Sequence, residues 1–289
     1  MKLFPIRTIR PLLLDPKRFQ DRFGQPNAYL DMNPSLFIDA SGQATVLVRR
    51  VNYRKFQDKA FTLYESQAKS EYLVLKGPIH QPFCTFFVQP LVADLPPIYP
   101  TYWRGLEDIR FINETTVLAT IPECNPRGHP ALFEGTLTGN RVQDLRPCRP
   151  HDRPEKNWMP FSEDRVVYSV DPLQIKSVQE GDLEALSPRP EPEDLKGYHG
   201  STNGIRWLGG WLFLIHVNRE RTVHRWFWLG PTTILWSDEF VFFAHSYIEF
   251  PCSLCEYDDT LFVSLGVNDD KAFILELDRG DVVLSSSSG

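Results

Sequence analysis

The sequence predicts an all-β protein, a five-bladed β-propeller with antiparallel four-stranded blades. Two observations carry this prediction. A pattern of paired β-forming runs recurs five times along the 289 residues, and no long stretch keeps an apolar period of 3.6 residues. With 42% hydrophobic and 24% charged residues the chain can bury a large core. Because radially repeated sheets commonly fill this length as one unit, we expect a single domain over residues 1–289.

Each repeat begins with a short segment that mixes polar and apolar residues. A strongly β-forming run starts about ten residues later, which suits two antiparallel strands joined by a tight turn. The first segments are NPSLF (33–37), EDIRF (107–111), EKNWMPF (155–161), GSTNGIRW (200–207) and IEFPCSL (248–254). The last four begin at 107, 155, 200 and 248, a blade-sized spacing of 48, 45 and 48 residues. The predicted blades are 30–92, 105–147, 154–186, 199–240 and 246–280.

The remaining segments read as connections. Stretches 59–72 and 181–187 have the composition of brief helices, and the acidic, proline-containing stretch 179–197 is expected to be a surface loop. The serine-rich end, 285–289, is expected to lie outside the fold.

Charge and cysteine usage argue against several classes of protein. The net charge of −6 disfavours general nucleic-acid binding, which needs an excess of Lys and Arg. No apolar run is long enough for a membrane span, and residues 1–14 lack the apolar core of a signal peptide. Five scattered cysteines fit a reducing compartment, so we expect a cytoplasmic location. The CxxC of Cys252 and Cys255 has no second ligand pair at metal spacing, so no metal or other cofactor is predicted.

The first segments are unusually polar for strands that enter a core. The innermost strands of a propeller line its axial channel, where an unpaired charge must face a wet pocket or find a partner. The polar residues are Asn33, Ser35, Glu107, Asp108, Arg110, Glu155, Lys156, Asn157, Ser201, Asn203 and Glu249. Ion pairs between blades are the structural alternative for each of them, but five convergent polar strands favour a ligand site.

Carbohydrate fits this set of side chains. Carboxylates and amides bind sugar hydroxyls in pairs, while aromatic rings cover the C–H face of a sugar. Six aromatic residues lie within or beside the polar segments: Tyr53, Tyr102, Trp103, Trp158, Tyr168 and Trp207. Packing between blades is the other role open to them.

At these same segments the sequence resembles the five-bladed propellers of the glycosidase-like superfamily, most of all the mannoside phosphorylases and hydrolases of glycoside hydrolase family 130. NPS (33–35) with LVRRVNYR (47–54) resembles the first blade of that group, and LEDIR (106–110) resembles its acidic-Asp-Pro-Arg motif with Ile109 in place of proline. EKNWMPF with YSVDP (168–172) resembles its third blade. The EKNW version is also similar to bacterial proteins linked to glycosyltransferases.

The resemblance implies roles for individual residues. Asp108 would be the general acid, Asn33 and Ser35 would contact the sugar, and a second carboxylate for hydrolysis could be Glu249, Asp269 or Glu107. The candidates for binding phosphate or a nucleotide-sugar phosphate are Arg49, Arg110 and Lys156, with His216 beside them. Whether Arg49 or its neighbour Arg50 points inward depends on strand register. The wider substrate-binding set adds Glu107, Asn157, Trp158, Tyr168, Asp171 and Ser201.

Two hypotheses on function follow. The first is a carbohydrate-active enzyme that cleaves or forms a glycosidic bond, a mannoside being the candidate substrate and inorganic phosphate or a nucleotide sugar the candidate second substrate. The second is a non-catalytic sugar-binding or scaffold propeller that partners a glycosyltransferase, or a glycosyltransferase itself. A protein-interaction propeller is disfavoured, because neither a Trp-Asp ending nor a Gly-Gly pair recurs in each repeat.

Overall fold

The computed structural model describes residues 2–21, 23–55, 61–63, 65–148, 154–178 and 193–285. Regular structure in these ranges is β, apart from the 3₁₀ turns Phe83–Thr85, Pro122–Cys124, Glu193–Leu195 and Arg279–Asp281, so the all-β prediction is confirmed. The helix expected at 59–72 is wrong, because strands occupy Phe61–Leu63 and Ala68–Pro78. The helix expected at 181–187, most of the expected loop 179–197 and residues 286–289 lie outside the described ranges.

Five sheets contain most of the strands. They are numbered here in the chain order of the predicted first segments, and the strand formed by each of these segments is called the first strand of its sheet. Sheet 1 is formed by Leu30–Ile38, Gln43–Val51, Ala68–Pro78, Phe87–Pro90 and Trp103–Arg104. Sheet 2 is formed by Glu107–Phe111, Thr116–Thr120, Leu132–Thr138, Arg141–Pro147 and Val92–Ala93. Sheet 3 is formed by Met159–Pro160, Arg165–Val170 and Leu173–Ser177.

Sheets 4 and 5 include strands from the beginning of the chain. Sheet 4 is formed by His199–Gly200, Ile205–Trp207, Gly210–Asn218, Thr222–Leu229, Ile234–Trp236, Phe240–Val241 and Lys2–Leu3. Sheet 5 is formed by Glu249–Tyr257, Thr260–Val267, Lys271–Asp278 and Thr8–Pro11. Two further ribbons pair Arg18–Gln20 with Pro26–Ala28 and Tyr53–Lys55 with Phe61–Leu63.

The arrangement is propeller-like, with four blades of four or more strands among the described residues instead of the five that the sequence predicts. Four sheets contain four or more strands, whereas sheet 3 has three strands in the described ranges. The first strand of sheet 3 is short for a physical reason. Asn157 has a φ of +64°, outside the extended region, and Pro160 lacks the N–H that a ladder requires.

Apolar cores fill the space between successive sheets. One representative pair is Val74 with Ile109 between sheets 1 and 2, and another is Val263 with Leu214 between sheets 5 and 4. Further clusters lie between sheets 3 and 4, between sheets 1 and 5, and between sheets 2 and 3. Each sheet is thus packed on two neighbours. No helix among the described residues has the length and apolarity that a membrane crossing requires.

Hydrogen bonds also join each sheet, or the segment leading into it, to the next. They run from Leu36 N to Ser253 Oγ (2.7 Å), Leu254 N to Asn203 Oδ1 (3.0 Å), Gly204 N to Pro160 O (2.7 Å), Glu155 N to Pro130 O (2.9 Å) and from the Ser35 hydroxyl to Ile109 O. All five first segments therefore lie around one axis, with their polar beginnings at the same end.

The beginning of the chain stabilises the last two sheets. Thr8–Pro11 pairs antiparallel with Lys271–Asp278 as the outer strand of sheet 5. Phe4 is buried in an aromatic cluster of sheet 4, where its ring contacts Trp226 and Phe240 at centroid distances of 5.6 and 4.7 Å. Residues far apart in sequence thereby share one core.

We expect Phe4→Ala to lower the free energy of unfolding by about 3 kcal/mol, because it removes a buried ring from this cluster. Urea unfolding followed by tryptophan fluorescence measures the change. The control is Leu13→Ala, nine residues further on and 83% exposed, which should stay within about 0.5 kcal/mol of wild type. Equal losses in the two variants would show that the N-terminal segment does not anchor the fold.

Candidate functional site

Three of the first strands carry an irregularity at the same level, near their polar ends. The ladder shifts register between Met32 and Ser35, between Glu107 and Arg110, and between Pro251 and Ser253. Such bulges redirect a side chain and are common beside active sites. The residues within the three shifts include Asn33, Asp108 and Cys252, and the first two have positive φ values of 42° and 46°, which Asn and Asp tolerate well.

Asp108 is held by two side chains of sheet 1. Asn33 Nδ2 donates to Asp108 Oδ1 at 3.1 Å, and Arg49 Nη1 donates to the same oxygen at 3.0 Å. Arg49 Nη2 donates to Glu107 Oε1 at 2.6 Å and to Tyr53 Oη at 3.0 Å. The side chains of Glu107 and Asp108 remain 20% and 25% exposed, so both carboxylates reach solvent.

The structure resolves which of the two consecutive arginines points inward. Arg49 faces the bulges, whereas Arg50 Nε donates to Asp31 Oδ1 at 2.6 Å on the other face of the strand. Burial lowers the pKa of Arg49. The negative charges that include Glu107 and Asp108 together raise it by more, so the net pKa lies well above the ordinary value. Arg49 is therefore a permanent cation whose donors are used inside the protein.

Arg110 is a second buried cation beside Asp108. Its side chain is among the most deeply buried in the protein, with a residue exposure of 1%. Nε donates to the carbonyl oxygen of Ser201 at 2.6 Å, and the guanidinium lies 5.6 Å from the ring centroid of Phe250. Nη2 has no acceptor among the described residues. Burial lowers the pKa of Arg110, and the charge of Asp108 partly opposes that shift.

His216 continues the polar cluster into sheet 4. Its Nδ1 lies 2.6 Å from the Ser201 hydroxyl. Burial, and then the nearby positive charges that include Arg110 and Lys156, lower the pKa of His216 to about 3. The imidazole is therefore neutral at pH 7. Lys156, in the segment that leads into sheet 3, is exposed and is the cation of this group that faces solvent.

We call the combined set the axial cluster. It consists of Asn33, Arg49, Glu107, Asp108, Arg110, Lys156, Ser201 and His216. Asp269 is near enough to raise the pKa values of Tyr53 and Cys252 by its charge, burial being the main cause in both. Side chains from the first four predicted segments or their partner strands thus come together, and Asp269, which follows the partner strand of the fifth, lies close to them.

Glu249, which the sequence predicts to be catalytic, is surrounded by hydrogen-bond donors inside the protein. Glu249 is 1% exposed and accepts hydrogen bonds from His224 Nε2 (3.0 Å), the backbone N–H groups of Phe242 and Phe243 (2.8 Å each) and the Ser246 hydroxyl. Burial raises the pKa of Glu249, but these donors lower it more, so the net pKa is below the ordinary value. This carboxylate is an internal anchor for the 242–246 segment.

Two aromatic residues of the predicted binding set belong to the core. Trp158 is 1% exposed, and its Nε1 donates to Glu155 Oε2 at 3.1 Å. Tyr168 Oη donates to the other oxygen of Glu155 at 3.0 Å, and Lys176 Nζ lies 3.8 Å from its ring centroid. Trp158 is packed between sheets 2 and 3, and the partly buried Tyr168 packs against the same cluster, while their sugar contacts stay predictions.

Other predicted binding residues have structural partners. Ser35 and Ser201 are fully buried, and their hydroxyl groups bond to Ile109 O and to His216, while their contact with sugar stays a prediction. Asp171 lies in a turn and accepts from Gly197 N at 2.9 Å. The carbonyl oxygen of Asn157 lies against Gly200, where a Cβ atom would approach it to 2.3 Å.

Sequence reasoning missed three members of the site. Ser70 Oγ accepts from Arg49 Nε at 2.9 Å, Tyr72 Oη accepts from Ile109 N at 3.2 Å, and Cys252 lies within electrostatic range of Asp108 and Arg110. Ser70 and Tyr72 belong to the third strand of sheet 1. Together with Ala68 they alternate with the charged Lys69 and Glu71, and this period of two is the sequence signal that could have identified them.

A cavity of about 360 Å³ lies at the other end of the channel. Its walls come from the far ends of the first strands of sheets 1, 2, 4 and 5 and combine apolar side chains such as Ile38 and Phe111 with the polar side chains of Asn203, Arg206 and Glu256. The axial cluster, with its carboxylates and cations, is separate from this cavity.

No protein-family model and no curated protein matches this chain. Solved structures match nearly all of it. A β-1,2-mannobiose phosphorylase from Listeria innocua, in complex with β-1,2-mannobiose, is 16% identical with a TM-score of 0.59 and covers 93% of this chain and 98% of its own. A glycosyl hydrolase from Bacteroides ovatus is 11% identical with a TM-score of 0.61 and covers 99% and 96%.

A third structure comes from work on the mannoside phosphorylases of glycoside hydrolase family 130 and its hydrolases that target β-1,2-mannosidic linkages in Candida mannan. It is 14% identical, has a TM-score of 0.60 and covers 99% of this chain and 98% of its own. This chain shares their fold. The resemblance drawn from short motifs is thereby confirmed as a likeness of architecture.

The depressed pKa of His216 predicts a pH dependence of stability. The imidazole is neutral in the folded protein and takes up a proton on unfolding below the ordinary pKa of 6.5, so its contribution is present above pH 6.5 and is lost on acidification towards the folded pKa of about 3. Between pH 7 and pH 5 this site should cost about 2 kcal/mol of unfolding free energy. Urea unfolding at both pH values measures the loss in wild type and in His216→Gln.

The variant should lose that much less than wild type over the same interval. His245→Gln, at an exposed histidine, serves as the control and should follow the wild-type pH dependence. A His216→Gln curve parallel to wild type would contradict the assignment of a neutral buried imidazole.

Proposed function

We propose that this protein is a glycoside-processing enzyme that cleaves or forms a glycosidic bond at the axial cluster, with Asp108 as the general acid. One observation carries the proposal: a solvent-reaching carboxylate is held at a bulge by Asn33 and Arg49, with the buried cation Arg110 beside it and Lys156 near His216 of the same cluster. The fold shared with a mannobiose phosphorylase and with glycosyl hydrolases supports the same reaction class.

Inorganic phosphate is the nucleophile that this arrangement favours. An inverting hydrolase needs a second carboxylate to activate water, and the hydrogen bonds of Glu249 engage both of its oxygens inside the protein. A phosphorylase needs cations instead. A phosphate oxygen would bond to the anomeric carbon as the glycosidic C–O bond breaks, and the Asp108 proton would pass to the leaving oxygen. Lys156, the exposed cation of the cluster, would attract the anion.

A non-catalytic sugar-binding propeller is the second candidate. The observation that favours it is the double hydrogen bonding of Asp108 Oδ1 by Asn33 and Arg49, which stabilises a carboxylate. In that case the cluster would bind the hydroxyl groups of a sugar without turnover, and the protein would act beside a glycosyltransferase partner. Alternatively, the phosphate groups of a nucleotide sugar would bind at the same cations.

We expect Asp108→Asn to lower turnover of β-1,2-mannobiose at least ~100-fold, because a positioned general acid contributes about that much or more to the rate. Mannose and mannose 1-phosphate release would be measured with and without inorganic phosphate. Asp31→Asn is the matched control, since Asp31 pairs with Arg50 on the opposite face of the strand, and it should retain wild-type turnover.

The outcomes separate the candidates. Wild-type turnover that requires phosphate supports phosphorolysis, and turnover without phosphate would move the reaction to hydrolysis with Asp269 or Glu107 as the base. Equal turnover by wild type and Asp108→Asn removes Asp108 from the role. Binding of mannobiose without turnover in any condition supports the sugar-binding candidate.

We expect Lys156→Gln to raise the KM for phosphate about tenfold, because a charge-assisted hydrogen bond contributes roughly 1.5–3 kcal/mol. The KM for mannobiose should change little. Lys196→Gln, at another exposed lysine of the neighbouring segment, should change neither constant. A rise confined to the KM for mannobiose would place Lys156 against the sugar and contradict its role with the anion.

A further inference from the structure

A row of aromatic side chains leads from the axial cluster to the surface of the same end of the molecule. Tyr53 Oη accepts from Arg49 Nη2 at 3.0 Å, and the Tyr53 ring contacts the Trp103 ring edge to face, with centroids 5.4 Å apart. The Trp103 ring in turn contacts Tyr102 at 6.4 Å. Exposure rises along the row, from buried Tyr53 through half-buried Trp103 to Tyr102 at 54%.

Strand register places this row beside the mouth that holds Asp108. In sheet 1, Met32 is opposite Arg49, Val51 is opposite Ser70, and Trp103 is opposite Ala68. These pairs are all at the end of the sheet where the first strand begins. Trp103 and Tyr102 therefore lie on the face of the molecule onto which Glu107 and Asp108 open.

The segment that carries Tyr102 is firmly held. Tyr99 N donates to Glu123 O at 2.7 Å, and the Glu123 carboxylate accepts from Gly105 N and from Arg104 Nη1 at 2.8 Å each. The Tyr102 carbonyl accepts from Ala68 N at 3.0 Å. An exposed ring on a fixed segment loses little conformational entropy when it contacts a ligand.

The surface next to Tyr102 is also apolar. Ile98 is exposed, and Tyr99 beside it is partly so. Contiguous exposed apolar side chains beside a polar cleft are typical of ligand-binding grooves, and aromatic faces match the C–H faces of sugar rings. A glycan has both the C–H faces that would stack on Tyr102 and the hydroxyl groups that Glu107 and Asp108 would bind.

We infer that Tyr102, supported from behind by Trp103, is an outer sugar-binding subsite, and that the substrate is an oligosaccharide longer than a disaccharide. This inference rests on the proposed function. The sugar next to the scissile bond lies at Asp108, and a sugar further along the chain stacks on the Tyr102 ring. Because the Tyr53 and Trp103 rings lie between Arg49 and the Tyr102 ring, this contact belongs to a sugar beyond those at Asp108, and the ring favours longer chains.

The test compares chain lengths in two backgrounds. Binding of β-1,2-linked manno-oligosaccharides of two to five residues is measured by calorimetry with Asp108→Asn, which binds without turnover, and kcat/KM is measured with wild type. Affinity and kcat/KM should rise with length. Adding Tyr102→Ala should lower both about tenfold for the longest chains and leave the disaccharide values unchanged, whereas Tyr102→Phe should keep the length dependence.

Phe87→Ala is the control, an exposed aromatic residue on the outermost strand of sheet 1, near the opposite end of that sheet. It should not change the length dependence. Tyr102→Ala values that are unchanged, or lowered equally for every chain length, overturn the subsite alone. Absence of binding to every one of these saccharides overturns the proposed function and the subsite with it.

Discussion

The burial of one arginine determines the form of the candidate site. Arg49 originates in sheet 1, yet its hydrogen bonds extend to Glu107 and Asp108 of sheet 2. A guanidinium removed from water is tolerated when its donors are paired, and removing one partner is strongly unfavourable. A shift of one sheet against the other would therefore leave the buried charge of Arg49 without its partners. The contacts that hold these two sheets together also determine the position of Asp108.

The bulges explain how strands can contribute to a core and to a site at once. A regular strand directs its side chains alternately to the two faces of its sheet, and here both faces pack on neighbouring sheets. The extra residue of a bulge breaks this alternation and redirects a side chain. Asn33 and Asp108 occupy such positions in left-handed backbone conformations, which these two residue types tolerate better than most. Sheets remote in sequence thereby present polar groups to one space.

The axial cluster and the cavity lie towards opposite ends of the first strands. The first strands of sheets 1, 2, 4 and 5 reach the cavity, whose walls combine apolar side chains with Asn203, Arg206 and Glu256. The buried network around Glu249 shows a further use of charge. His224, Ser246 and two backbone N–H groups surround that carboxylate, which ties the segment between sheets 4 and 5 to the first strand of sheet 5.

Much of the fold followed from short-range patterns. The all-β class, the order of the five first segments and the convergence of Asn33, Asp108 and Arg110 were predicted, because β propensity, turn spacing and repeat length are local properties of the chain. The three-stranded form of sheet 3 was not predicted, since an extended segment and a ladder strand have similar composition.

The roles of individual polar residues depended on the tertiary structure. Strand register sets the inward direction of Arg49. Glu249 is shielded from solvent by hydrogen-bond donors located 3 to 25 residues earlier in the chain. Trp158 is buried because it packs on sheet 2. A sequence specifies which side chains can accept or donate a hydrogen bond. Whether a given carboxylate meets a protein donor or open solvent is decided by residues from other sheets, and only the folded chain brings them together.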